Sequence, residues 1–394
     1  MPSLRNLLGA PNVEYMAAKS DVDGLIKALS YKKDAHVRRA AAHTLGQLRA
    51  PRAISALITA LQDPVREVRT AALVALGEIK DPRALTAVLS ALKSEDAQLR
   101  RGAAAALGEA SSAEGVGPLV AALQDTDPGI RQTAAESLGR IGDAQAVQPL
   151  TGALQDTDEL TRRNAIEALG RIGGPSIVEP LIGALQDSSR EVRRAAAKML
   201  DKAADPRATE VLIGALGDEH KWVREAAAEA LGKIGDERAA QPIAVLLKDP
   251  DADVYRSAVD ALAKMGSSGV EPLVAALRYE GVEVRIPVIE RLVKIDDPRV
   301  VPALIDALQD AEQAVRGAAA KALGAIGDKR ATEPLIAALK DPAYFVCVSA
   351  IEALGKIGDP RAREPVSALR EHRDARIRSA VVDALRLIGR AAVA

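Results

Sequence analysis

The sequence is short of the residues that usually close a globular core or form covalent cross-links. It has one cysteine, Cys347, one tryptophan, Trp222, one phenylalanine, Phe345, and five tyrosines in 394 residues. A lone cysteine excludes an internal disulfide and any CxxC metal motif, and it fits a reducing compartment. Aromatics make up 2% of the chain, so the 48% hydrophobic content is carried by Ala, Leu, Val and Ile. That composition suits thin layers of closely packed helices. Charge of neither sign prevails: 53 Lys and Arg stand against 54 Asp and Glu, which disfavours a broadly cationic nucleic-acid binder. No apolar run is long enough to span a bilayer, and the first residues lack the charged-then-apolar layout of a signal peptide. A cytoplasmic location without membrane contact is expected.

Catalytic signatures are missing as well. Of the histidines, His36 and His43 share a helix face, but the spacing puts them about 10 Å apart along the axis, too far for one small ion. His220 and His372 are isolated, each preceded by a glutamate. There is no Gly-rich phosphate loop and no GxSxG elbow. The sequence therefore predicts no catalytic residue, no metal and no cofactor, and Cys347 reads as a small filler.

What is present is a repeat. Starting from the arginine of the phrase "VR", the slots fall at Arg38, Arg69, Arg100, Arg131, Arg162, Arg193 and Arg224, 31 residues apart; then come Tyr255, Arg285 one residue early, Arg316, Cys347 and Arg378. Each unit predicts two helices. The first opens near an Arg-Ala pair such as Arg330-Ala331, with Pro334 tolerable in its opening turn, and Asp341-Pro342 ends it. The second carries apolar residues at helical spacing, as in Val68, Ala72, Ala75, Leu76 and Ile79, and a Gly-Asp pair such as Gly358-Asp359 closes the unit. One hairpin cannot bury its own apolar face, so stacked neighbours must supply a continuous core.

The unit running from Pro180 to Leu200, PLIGALQD…EVRRAAAKML, and its sisters resemble HEAT repeats. They are closest to the short HEAT-like class named after phycobilisome lyases. The resemblance implies an all-α, right-handed α-solenoid of about twelve two-helix repeats of 31 residues over 21–394, with residues 1–20 as an N-terminal capping segment. It also implies an Asp/Arg ladder along the loops between repeats. The matching pairs are Asp63/Arg69, Asp125/Arg131, Asp156/Arg162, Asp187/Arg193, Asp218/Arg224 and Asp310/Arg316. Read this way, Tyr255 and Cys347 leave Asp249 and Asp341 without a local arginine, while Arg285, Arg38, Arg100 and Arg378 face Tyr279, Lys32, Ser94 and His372. The short loop 266–269 and Pro287 predict an irregularity at 255–290.

In such arrays the second helices line the concave surface. Counting from the arginine slot, burial is expected at −1, +3, +6, +7 and +10, leaving −2, +1, +2, +5 and +9 facing outwards. Acid and base alternate at +5 and +9, as in Glu136/Arg140 and Glu167/Arg171. A +1 row, Arg39, Arg101, Arg163, Arg194 and Arg256, offers a weaker reading as a nucleic-acid backbone track. Large apolar residues collect towards the C-terminal half: Trp222, Tyr255, Ile286, Phe345 and Val348. These are the expected anchors for a protein partner, which makes a non-catalytic scaffold the leading reading. A subunit of a bilin lyase, implied by the family resemblance, is the alternative.

Overall fold

Each hairpin is set by local capping. In the unit beginning at Asp328, that carboxylate accepts the backbone N–H of Arg330 at 2.7 Å and starts one 3₁₀ turn, Lys329–Ala331. The turn runs directly into the first helix, Thr332–Ala338. A second aspartate, Asp341, accepts the N–H of Ala343 at 2.8 Å in the inter-helix loop, ahead of the second helix Tyr344–Ile357. Gly358, at φ +70°, then ends that helix in the left-handed conformation.

The computed structural model describes residues 11–279 and 281–391, so residues 1–10 of the expected capping segment, and Glu280, lie outside the described residues. The described residues contain helices and turns and no strand. The chain divides into two units, Met1–Ala203 and Ala204–Ala394. The first holds second helices from Ala35–Gln47 to Arg190–Ala203, and the other holds those from Lys221–Ile234 to Ala375–Ala391. The fold is an all-α solenoid.

Burial follows the helical stripe. In Arg66–Ile79 the five expected positions, Val68, Ala72, Ala75, Leu76 and Ile79, are all buried. Leu73 and Gly77, at +4 and +8, are buried too. A second helix meets its own first helix and the second helices before and after it, so a wider face is covered than one stripe requires. Each fully buried leucine, such as Leu73, contributes about 2 kcal/mol.

The stretch around Pro287 departs from this plan. Its first helix, Ser267–Ala276, starts straight from Gly266 at φ +62° with no 3₁₀ turn, after a loop that is a residue short. Its second helix, Val282–Leu292, has 11 residues where Gln313–Ile326 has 14. Pro287 sits inside it and withdraws one N–H from the helical ladder.

Candidate functional site

The repeated arginine joins two loops. Arg131 donates from Nη1 to the backbone carbonyl of Asp125 at 2.9 Å, in its own repeat. From Nε and Nη2 it donates to the Asp156 carboxylate of the next repeat, at 2.7 and 2.8 Å. The same fork recurs from Arg162 to Asp187, from Arg224 to Asp249 and from Arg316 to Asp341.

This corrects the pairing read from the sequence. In Asp63/Arg69, Asp125/Arg131, Asp156/Arg162, Asp187/Arg193, Asp218/Arg224 and Asp310/Arg316, the arginine takes the aspartate's backbone carbonyl, not its carboxylate. The carboxylate of a rung comes from 25 residues further on, as in Arg38 to Asp63. Six residues bring an arginine back over its own loop's backbone, whereas the loop that presents a free carboxylate to its fork is the next one.

The faults move accordingly. Asp249 and Asp341, which lack a local arginine as expected, are held by Arg224 and Arg316 of the preceding repeat. Arg38 and Arg100 are fully engaged, with Asp63 and Asp125. Arg285 donates to Tyr279 O and to Asp310. The true gaps are at Tyr255 and Cys347, and there the carboxylate one repeat on is gone as well, replaced by Tyr279 and His372. Arginine and acceptor are lost together, so neither is left as a buried unpaired charge.

The aspartate has a second role in its loop. Asp63, Asp125, Asp156 and Asp187 each accept the N–H two residues ahead, within 2.9 Å. Ser94 Oγ and His372 Nδ1 make the same bond, to Asp96 and Asp374. They keep the turn but supply no carboxylate, and Arg69 reaches Asp96 instead, at 2.9 Å. The hydrogen bond from Arg100 holds Asp125 below the usual carboxylate range, and Arg316 does so for Asp341. At Asp63, Asp156 and Asp187 burial pushes upwards, but the arginine and loop N–H bonds outweigh it and the net shift is down. The Cys347 thiol is buried and pushed up by that burial and by the Asp341 charge, which suits a filler and not a nucleophile.

The outward face is mixed. In the first unit Arg39 and Arg101 are exposed. Arg163 lies 3.7 Å from Glu167 and, with Arg194, edges a cleft that also holds Glu191 and Lys198. In the second unit Arg256 sits 5.8 Å over the Tyr255 ring and 3.9 Å from Asp253. The +5/+9 pairing forms as Glu136–Arg140 at 2.9 Å, and Arg140 also reaches Glu109 one repeat back. Asp260 instead pairs forwards with Arg291.

Of the expected anchors, Tyr255 is corrected: it is 8% exposed and belongs to the core, because the slot it fills is the buried rung position. Trp222, Ile286, Phe345 and Val348 are half-buried. Trp222 leans on His220 at 4.9 Å between ring centroids. Phe345 covers Gly317, where a Cβ would lie 2.8 Å from its ring. Phe345 and Val348 share the helix Tyr344–Ile357, while three second helices separate that helix from Lys221–Ile234, which carries Trp222. Sequence reasoning missed Tyr344, which is 45% exposed, stacks edge-on to Phe345 and carries the Arg376 guanidinium 3.6 Å above its ring. The signal was available: it stands beside the only phenylalanine, one place before the −2 position. Among the described residues no group of His, Cys, Asp and Glu could hold a metal, and no helix is long and apolar enough to cross a membrane.

Comparison with known families matches HEAT repeats over residues 22–108, 85–170, 118–189, 153–218, 178–263, 241–313 and 301–386. The chain belongs to the HEAT-repeat family. Its HEAT array is similar in fold to Kap121p, with 14% identity, a TM-score of 0.59, and coverage of 95% of this chain and 50% of that one. It is similar likewise to the Kap95:Nup1 complex, with 15% identity, a TM-score of 0.58, and coverage of 94% and 61%. The chain thus spans between half and two thirds of those proteins. The complex of CpcE and CpcF of phycocyanin lyase from Nostoc sp. PCC7120 is 24% identical over 69% of this chain and 94% of that one, with a TM-score of 0.36. No curated protein sequence matches. Within the HEAT array the first helices carry their own fastening: Asp236, Asp328 and Asp359 cap the 3₁₀ turn and hold Arg238, Arg330 and Arg361 two residues on. Arg238 and Arg361 reach back to Glu210 and Glu333.

Proposed function

We propose that this HEAT chain is a non-catalytic scaffold that grips a protein partner on the concave surface formed by its second helices. The observation that carries the reading is the apolar surface of the helix Tyr344–Ile357. Tyr344 is exposed, and Phe345 and Val348 are half-exposed, in a chain that is 2% aromatic. None of the three takes part in the ladder, so their side chains are available for recognition. Ile286, two repeats earlier, and Trp222 extend the set of anchors. The comparison supports this reading, since one protein of similar fold, Kap95, is described in a complex with Nup1. The single buried cysteine is compatible with a cytoplasmic setting.

The test is affinity capture with the full chain, followed by identification of the captured proteins. Tyr344→Ala with Phe345→Ala is expected to lose a partner that the wild type retains, at an unchanged helical circular-dichroism spectrum. A captured set that is the same for both proteins removes this surface from the reading. Trp222→Ala, run in parallel, reports whether recognition extends to the helix Lys221–Ile234.

A further inference from the structure

The repeat that spans Asp81 to Ser111 holds a cleft that opens to the surface. Between its two helices, Pro82–Ala91 and Ala97–Ala110, and the preceding second helix lies a space of about 130 Å³. Its apolar wall is Leu76, Leu85, Val88, Ala106, Leu107 and Ala110.

The sequence explains the space by comparing the chain with itself. The place of Val88 is filled by Leu57, Leu119, Leu150 and Leu181 in the other first helices of this unit. The place of Ala110 is filled by Ile79, Ile141 and Ile172 in three other repeats of the unit and by Leu48 and Ala203 in the remaining two, so only this repeat pairs an alanine there with the shorter Val88. Val88 is a methylene shorter than leucine, and Ala110 lacks all of the isoleucine side chain beyond Cβ. Both reductions fall in one repeat and line one space. The two second helices cannot close it by moving together, because they already touch: a Cβ added at Gly77 would lie 2.5 Å from the carbonyl oxygen of Ala106. The shortened side chains leave their neighbours without contacts on that side.

The polar groups at the edge are largely committed elsewhere. Asp81 accepts from the backbone N–H and the guanidinium of Arg83, and Ser112 Oγ accepts the N–H of Glu114. Lys80 and Glu114 are exposed to water. What the interior offers is therefore leucine, valine and alanine surface. A cleft with an apolar floor of this size has room for a benzene-sized molecule, which would cover the leucine and valine surface now facing water.

We infer that this space is a binding site for a small, uncharged, apolar molecule of about the bulk of a benzene ring. The site lies within Met1–Ala203 and shares no residue with the surface at 344–348.

Benzene is the probe, added to the full chain and followed by calorimetry and by methyl NMR. The expected result is saturable binding that shifts the methyl signals of Leu76, Leu85, Val88 and Leu107 together. Val88→Leu with Ala110→Ile, which restores the residues of the sister repeats, is expected to weaken benzene binding about tenfold or more. It is also expected to leave the unliganded melting temperature at or above that of wild type. No saturable binding to the wild type overturns the inference, as do shifts confined to methyls elsewhere. Equal affinity in the filled variant does the same. Should that variant misfold, Ala110→Val alone serves, with an intermediate loss expected and an unchanged affinity counting against the site.

Discussion

At Gly139 a side chain has no place to go, because a Cβ there would lie 2.5 Å from Cα of Ala168 in the next repeat. The same pairing of glycine with alanine joins Gly232 to Ala261 and Gly324 to Ala353. Both sides of the contact are small, so second helices meet nearly backbone to backbone, and the neighbour that would have to give way is itself main chain. Gly139→Ala is therefore expected to destabilise the protein by about 1–3 kcal/mol through overpacking, despite alanine's better helix propensity. The urea midpoint measures it, and an increase in stability would show that the helices can separate at small cost.

At the scale of the element, a loop and its neighbour are fastened by one guanidinium. Losing a hydrogen bond to a charged group costs about 1.5–3 kcal/mol. That value explains why the gaps come as matched pairs: Tyr255 with Tyr279, and Cys347 with His372. Cys347→Arg alone places a cation opposite His372, where the one nearby carboxylate, Asp374, is already held by Arg376, and His372→Asp alone adds an anion without a slot arginine. The double variant rebuilds a rung like that of Arg316 and Asp341. A double-mutant cycle is expected to give a favourable coupling of about 1 kcal/mol or more, with each single variant less stable than the double. Additive single effects would mean that the two loops are not in register there.

For the whole molecule, the ladder predicts acid sensitivity. Asp63, Asp125, Asp156, Asp187 and Asp341 titrate below the ordinary carboxylate value in the folded chain. Asp236 and Asp374, which hold the arginines of the first helices or of a helix start, are lowered to about 2. A group depressed on folding binds fewer protons in the native state, so its stabilisation is complete above its unfolded pKa of about 4. It is lost as the pH falls through the folded value. Stability is thus expected to be flat from neutral pH to about pH 5 and to fall steeply below pH 4. Urea midpoints taken across that range check it; a midpoint unchanged down to pH 2.5 would contradict the role given to these carboxylates. Because stability in a stacked array is close to a sum of neighbour terms, rungs of the same chemistry should weaken over the same interval.

The 31-residue spacing, the two-helix unit and the buried stripe could be read from the sequence, because helical periodicity and capping residues act over a few positions. The slot arginine was visible for the same reason. Its partner was not: the nearest aspartate in sequence offers a backbone carbonyl, and the carboxylate arrives from the next repeat only once the hairpins stack. Tertiary packing also decided that Tyr255 is core while Tyr344 is surface, since neighbours of the same residue type are told apart only by the side of the helix that the adjacent repeat covers. The cleft at Val88 and Ala110 belongs to both levels. Each shortened residue can be found by comparing repeats, but that they face one space depends on how the helices lie together.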